Sequence, residues 1–441
     1  MSPKTFRKGI HPPANKELTK SLPIEVLPPP EQVVLPCSQH IGAPSEPIVA
    51  VGDKVLLGQK IAEAKGMVSV PLHASVAGTV KAIEPRPHVS GRLVPAIVIE
   101  NNGTDQLSDE LQTSEYNLKT ASSEELRELI CRAGLVGMGG AAFPTHVKYN
   151  PPKGQKIDYV ILNGAECEPF LTCDHRLMIE KTEQIIYGLQ VMLKASRAER
   201  GYIVIEENKP DAITSLAKKA NGYPIEVVPV KAKYPQGEER MIIYAATRRV
   251  VPVGALPAAV GVIVNNVSTA AALADFIRSG RPLISRVITV TGKAISTPKN
   301  LEVRIGTLLE DVINYCGGFK AEPARLILGG PMTGPAQYRL DIPIMKGTSG
   351  ILTQTGDEVK ESTPSVCIRC GKCVDACAYN LLPNYLGLFS EHNETENAEK
   401  YGILDCRECG SCAYVCPGRR PLTQLIKNMK NKIMAAKRKT S

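Results

Sequence analysis

Eight of the thirteen cysteines lie between Cys367 and Cys416. Cys367, Cys370, Cys373 and Cys377 are spaced C-x2-C-x2-C-x3-C, and Cys406, Cys409, Cys412 and Cys416 repeat that spacing, with Pro417 following. Three thiolates three residues apart can wrap one iron–sulfur cube, whereas the fourth does not easily reach the same cube and ligates the other cluster of a pair. The expected sets are therefore Cys367, Cys370, Cys373 and Cys416 on one [4Fe–4S] cluster, and Cys406, Cys409, Cys412 and Cys377 on a second. A zinc site would instead favour two C-x2-C pairs separated by a longer gap. Two clusters a short distance apart carry electrons rather than transfer groups. Ala378 stands where a proline usually follows the fourth cysteine. Cys37, Cys131, Cys167, Cys173 and Cys316 show no ligand spacing, and Cys131 and Cys316 sit on helical patterns as core thiols.

A second set of residues points to a nucleotide. GLVGMGGAAFPTHVK contains Gly137-x-Gly139-x-x-Ala142. A helix rather than a strand precedes it, so the dinucleotide fingerprint fails. What remains is a glycine-dense turn whose N–H groups can approach a phosphate closely, or a purely structural turn. Further on, a strand ends in Asn163, Glu166 and Glu168, then Asp174 and Arg176; Glu238 and Glu239 open a helix, and Asn265–Asn266 close another strand. Singly these read as solvated acids or capping amides. Together they fall on loops along one edge of one predicted sheet, where open α/β sheets bind ligands.

The scaffold that must position them has 441 residues, room for about three domains. At 43% apolar and 22% charged residues, neither disorder nor a collagen-like repeat is expected, and 36 Gly, 34 Pro and no Trp favour a turn-rich α/β chain. Lys and Arg number 53 against 44 Asp and Glu, but residues 418–441 hold eight of the bases and no acid, leaving 45 against 44 elsewhere. A neutral body with a basic end argues against a nucleic-acid binder. The basic end suits an acidic protein or an anionic membrane surface, or is a solvated helix end. MSPKTFRKGIHPPANK has no apolar core of a secretory signal, and the longest uncharged stretch, 250–274, is broken by Pro252, Pro257 and Asn265–Asn266. No transmembrane segment is expected, the cytoplasm is the expected compartment, and metal ligation is favoured over disulfides.

Along the chain, residues 1–30 read as an extended arm, interrupted by Pro12, Pro13, Pro28, Pro29 and Pro30. Residues 31–115 hold short strands punctuated by Gly and Pro. Over 121–280, Ser122 and Glu125 form a capping box opening a helix. Strands over 159–163, 202–206, 225–230 and 260–265 then alternate with helices over 174–197, 211–220, after Gly237 and after Asn266, predicting a Rossmann-like, largely parallel sheet. Residues 281–355 carry a strand pair, one helix and a returning strand. Residues 360–425 carry the cysteines, and 426–441 form a basic tail.

Several of these segments resemble known families. V-G-D-K-V-x-x-G-Q with H-A-S-V-A-G-T-V resembles the barrel-sandwich hybrid of biotinyl and lipoyl carriers; Lys65 sits in A-K-G rather than a carrier's M-K-M or D-K-A, so only the fold is expected. The loop G-x-G-G-A-x-F-P-T-x-x-K, the strand end N-x-x-E-x-E-P, then G-E-E and N-N-V-x-T resemble the flavin-binding subunit of respiratory complex I. Residues 281–355 resemble the soluble-ligand-binding β-grasp (SLBB) family. The barrel-sandwich unit in front and the double cysteine motif behind make nearly the whole chain similar to the RnfC subunit family of Rnf ion-translocating ferredoxin:NAD oxidoreductases.

That resemblance implies an α/β multidomain fold: barrel-sandwich hybrid, Rossmann-like FMN/NADH domain, β-grasp domain and helical ferredoxin-type domain with two [4Fe–4S] clusters. It implies that Gly137, Gly139, Gly140 and Lys148 hold the FMN phosphate and ring edge, and that Asn163, Glu166, Glu238, Glu239, Asn265 and Asn266 line the flavin pocket. Phe143 would stack on NADH and Glu168 would hydrogen-bond its ribose. Ala165 and Met138 replace an Asp and an Arg of the family pattern. The implied partners are other Rnf subunits, including an iron–sulfur ferredoxin-type subunit and integral membrane subunits, at the cytoplasmic face of the cell membrane. A cobalamin reductase-type protein and a non-catalytic iron–sulfur relay with a vestigial flavin fold are the alternatives.

Overall fold

A computed structural model describes residues 3–109, 111, 116–152, 154–359 and 363–440; the expected segment ends at 1, 115, 360 and 441 lie outside the described residues. Strand Tyr159–Gly164 lies near the centre of a four-stranded sheet, paired in parallel with Arg200–Glu206 on one side and Val262–Asn266 on the other; Ile225–Val230 flanks Arg200–Glu206, also in parallel. These strands are near-continuous runs of Val, Ile and Leu because both faces are covered. Val160, Leu162, Ile203 and Ile205 pack in the core shared with helix Thr182–Ser196, while Ile161, Val204 and Val264 pack with helix Glu239–Thr247. The chain leaves Tyr159–Gly164 in one direction and returns to its other side with Val262–Asn266. The switch point therefore lies where these two strands end, with Asn163 and Asn266 in register.

The helix expected over 174–197 is two helices, Cys173–Glu180 and Thr182–Ser196, broken at Lys181. The Thr182 hydroxyl donates to the carbonyls of Met178 and Ile179, competing with the helical ladder there. Ser122 and Glu125 do form the capping box of helix Ser123–Arg132.

The β-grasp unit is a six-stranded sheet whose central strands are Lys299–Arg304, Ser285–Gly292, Gly350–Gln354 and Arg325–Leu328. Its outer strand Ile24–Val26 comes from the arm, running parallel to Lys299–Arg304 and covering an edge that would otherwise be open. The arm also bridges to the flavin-type sheet, Lys4 to Val230 and Ile10 to Tyr234. It ties modules together. Ahead of the flavin-type unit, a four-stranded sheet (Gln32–Pro36, Leu93–Asn101, Gly78–Pro87, Lys54–Val55) and a three-stranded one (Glu46–Pro47, Lys60–Glu63, Leu72–His73) build the barrel-sandwich unit.

The expected basic tail is part of helix Leu422–Thr440. Leu422, Ile426, Met429 and Ile433 recur at helical spacing and are buried; the last three pack with Leu386, Ala398 and Ile403, each contributing on the order of 1.5–3 kcal/mol on burial. Its bases are partly neutralised at home: Lys430 and Lys427 pair with Glu408, and Lys437 with Glu399. No helix among the described residues is long and apolar enough to cross a membrane.

Candidate functional site

The eight motif cysteines line two cavities. Cys367, Cys370, Cys373 and Cys416 line one, and Cys377, Cys406, Cys409 and Cys412 line the other. The fourth cysteine of each motif has crossed to the other motif's cavity. Short helices Lys372–Ala376 and Ser411–Tyr414 start from Gly371 and Gly410, and the chain turns sharply between successive cysteines. Among the described residues no three His, Cys, Asp or Glu side chains are grouped to hold a single metal ion. A cavity walled by four thiols fits a cube of iron and sulfide, whose ligands stand well apart.

The glycine loop is closed on itself, with Gly137 N–H donating to Phe143 O (2.8 Å) and Ala142 N–H to Gly137 O (3.1 Å). Gly139, Gly140 and Ala141 form its exposed rim, and Phe143 is half-buried. Gly140 has φ +105° with open space where a Cβ would stand, so backbone conformation requires the glycine there. Met138 is buried, its N–H donating to the Thr269 hydroxyl, and Ala165 is buried too. Lys148 donates to Val264 O (2.6 Å) and stands 3.9 Å from Glu239; burial lowers its pKa, opposed by that carboxylate.

Beneath the loop, the strand ends interlock. Asn163 donates to Gly237 O (2.8 Å) and accepts from Ala165 N–H. Asn266 caps helix Val267–Ser279 and donates to Asp174 Oδ2 (2.7 Å). Asn265 donates to the Tyr149 hydroxyl (2.9 Å), while its Oδ1 is buried without a partner among the described residues. Burial and the Glu166 carboxylate push Asp174 up to about 6. Glu166 itself accepts from the N–H groups of Asp174 and His175 at the start of helix Cys173–Glu180. Lys16 of the arm lies 3.5 Å from Glu166 Oε2 and donates to the carbonyls of Glu166 and Leu171. Glu166 is thus turned into a buried helix cap.

Two of the expected residues reach other modules. Glu168 accepts from Met332 N–H (3.0 Å) and the Thr333 hydroxyl of the β-grasp unit, with Gly330 so close that a side chain there would collide with the carboxylate. Burial raises its pKa. The Thr333 N–H adds a third donor, so most of the carboxylate's acceptor sites are taken by the β-grasp unit. Glu238 caps helix Glu239–Thr247 and faces the Tyr379 hydroxyl beside the second cavity.

Lys16, Gln236 and Tyr234 were not singled out by the sequence. Gln236 is fully buried with both amide atoms unpartnered among the described residues. Its position next to Gly237-Glu238-Glu239 was the available hint.

Comparison with known proteins places these modules. The RnfC barrel sandwich hybrid domain matches residues 4–104, the Nuo51 FMN-binding domain 130–275, the SLBB domain 287–336 and the 4Fe-4S dicluster domain 366–419. The RnfC-type component of the Na+-translocating ferredoxin:NAD+ oxidoreductase complex of Acetobacterium woodii is 48% identical, covering 99% of this chain and 98% of that one. Its counterpart in the proton-translocating ferredoxin:NAD+ oxidoreductase complex of Clostridium ljungdahlii is 47% identical over 98% and 95% of the two chains. The counterpart in the ion-translocating oxidoreductase complex of Rhodobacter capsulatus is 42% identical over 97% and 83%. Among solved structures, an NAD+-reducing [NiFe]-hydrogenase shares the fold at TM-score 0.50 and 17% identity, covering 73% of this chain and 62% of that one. The chain belongs to the RnfC family, whose members are components of ion-translocating ferredoxin:NAD+ oxidoreductase complexes.

Proposed function

We propose that the chain is the peripheral electron-input or electron-output subunit of a membrane-bound, ion-translocating ferredoxin:NAD+ oxidoreductase, exchanging hydride between NAD(H) and FMN and single electrons through two [4Fe–4S] clusters. The observation that carries this reading is the division of eight cysteines, four and four, between two cavities, one of them against the loops at the switch point of the parallel sheet. When bound, a flavin takes up or gives a hydride and passes its electrons on singly, and the clusters carry them one at a time.

The chain's own residues supply position and charge. Gly137 spends its N–H on Phe143 O and so closes the loop on which Gly139 and Gly140 offer theirs, and the Lys148 ammonium keeps donors beyond the one it gives Val264. Asn163, Asn265, Asn266, Glu166, Glu238 and Glu239 shape the pocket floor, where the free Oδ1 of Asn265 and the amide of Gln236 are buried acceptors and donors suited to a flavin ring edge. Phe143 on the rim would stack on the nicotinamide nucleotide, and Glu168, held in place by its β-grasp donors, would accept from its ribose. The RnfC-type barrel-sandwich module favours this reading over a cobalamin reductase-type protein. Ion translocation would reside in integral membrane partners, with an iron–sulfur subunit exchanging electrons with this chain at the cytoplasmic face.

The test is Phe143→Ala in the anaerobically purified, cofactor-loaded chain. It should keep iron and flavin while NADH bleaches the visible spectrum only at markedly higher concentration. An unchanged NADH response would remove Phe143 from the nucleotide site.

A further inference from the structure

The two cavities are not equivalent. Around Cys367 and Cys370 the surface is open, with Val366 83% and Ile368 65% exposed. The cavity of Cys377, Cys406, Cys409 and Cys412 lies instead against the flavin-type unit. There the buried Tyr234 donates its hydroxyl to the backbone carbonyl of Cys409 (2.7 Å). Cys167, between the two strand-end glutamates, packs in one apolar cluster with Tyr234 and Cys409. Three residues beyond Tyr234, Gly237 donates to Cys167 Sγ (3.1 Å) and accepts from Asn163 (2.8 Å). One short segment therefore touches the flavin-pocket floor at one end and a cluster-ligand backbone at the other.

The arm holds that segment. Ile10 and Tyr234 exchange two backbone hydrogen bonds of 2.8 Å each. Lys233 donates to the carbonyls of Phe6 (2.6 Å) and Lys8 (2.8 Å), and Lys8 reaches across to Val374 O (3.1 Å) in the helix between Cys373 and Cys377. The arm thus grips both sides of the junction.

We propose that Tyr234, clamped by arm residues 6–10, is a positioning residue that fixes the cluster of Cys377, Cys406, Cys409 and Cys412 against the flavin pocket. This makes that cluster the flavin-side one and the exposed cluster the one that meets the partner carrier. The inference rests on the function proposed above. With flavin and clusters bound, each transfer would move one electron between flavin, the flavin-side cluster and the outer cluster, the N–H protons of the reduced flavin going to water when it is oxidised and returning when it is reduced. Transfer rates fall steeply with separation, so a small shift of the Cys409 backbone matters. Removing the hydroxyl leaves that carbonyl without its donor and frees the backbone to move.

The experiment uses Tyr234→Phe and Ile10→Pro in the whole, cofactor-loaded chain; the proline removes the arm's N–H donor to Tyr234. Iron and flavin are quantified, clusters are recorded by electron paramagnetic resonance, and rapid mixing with NADH follows flavin and cluster bleaching separately. Flavin bleaching should be unchanged while cluster reduction slows by about tenfold, the lower end of what loss of a partner behind a metal ligand costs. The resonance of one cluster should change and the other should not. Both variants reducing their clusters at the wild-type rate, with both resonances unaltered, would overturn the proposal alone. A wild-type chain without flavin would overturn it together with the reading it rests on.

Discussion

Gln236 has no exposed surface, and neither end of its amide is paired among the described residues. An unmet buried polar group costs about 1–3 kcal/mol. Gln236→Leu should therefore raise the melting temperature of the cofactor-free chain yet weaken flavin retention, with iron content unchanged. A variant that melts lower and keeps its flavin would contradict that placement. Asp174 titrates abnormally for a different reason. Held up to about 6 against an ordinary 3.8, the folded chain keeps a proton that the unfolded chain has lost between those values. Stability contributed by this group is therefore highest at low pH and falls as pH rises through about 6. Asp174→Asn should flatten the melting-temperature profile across that window, and an unaltered profile would count against it. The crossed lining of the two cavities predicts that Cys416→Ala loses a cluster held by Cys367, Cys370 and Cys373 and leaves the other, halving iron from about eight to about four per chain. Cysteine spacing made that division legible, because reach along a chain is a local property. Gln236, Lys16 and Tyr234 were not legible, because their roles exist only once distant segments meet.

At the scale of elements, the alternation of strand and helix predicted the parallel sheet, and the capping box predicted one helix start. The break at Lys181 was missed, since a threonine hydroxyl turning back on its own helix is a choice the apolar period does not show. What the arm pairs with was not legible either. Its prolines rule out a helix, but they do not say that Ile24–Val26 will complete a sheet more than 270 residues away. A lysine in the stretch IPIMKGTSG likewise reads as solvated by default. Lys346 is fully buried, donating to Pro71 O (3.0 Å) of the barrel-sandwich unit and Gly134 O (2.8 Å) ahead of the glycine loop. Burial lowers its pKa to about 7, so between about 7 and its ordinary 10.5 the unfolded chain binds the extra proton. Stability should rise with pH through that window on this residue's account. Lys346→Met should remove the rise, as read by denaturant unfolding at pH 7 and pH 9; a rise that persists would assign it to another group.

Across the whole molecule, the order of modules was readable from the sequence because each carries its own motif. Their mutual placement was not, because it is set by contacts such as Lys16 to Glu166, 150 residues apart, and Tyr234 to Cys409, 175 apart. The resulting architecture puts the loops at the switch point of the flavin-type sheet, an inner cysteine cavity and an outer one in sequence, with the β-grasp loop at Glu168 and the arm holding the joints. That is the arrangement expected of a converter between two-electron and one-electron carriers. It is tested most directly by purifying the chain without oxygen, quantifying iron, sulfide and flavin, and titrating the visible spectrum with NADH. The predicted result is about eight irons, matching two [4Fe–4S] clusters, with FMN present and both flavin and cluster absorbance bleaching on NADH. Full iron without flavin, and no response to NADH even after FMN is added, would contradict it and leave a relay whose flavin fold only supports docking.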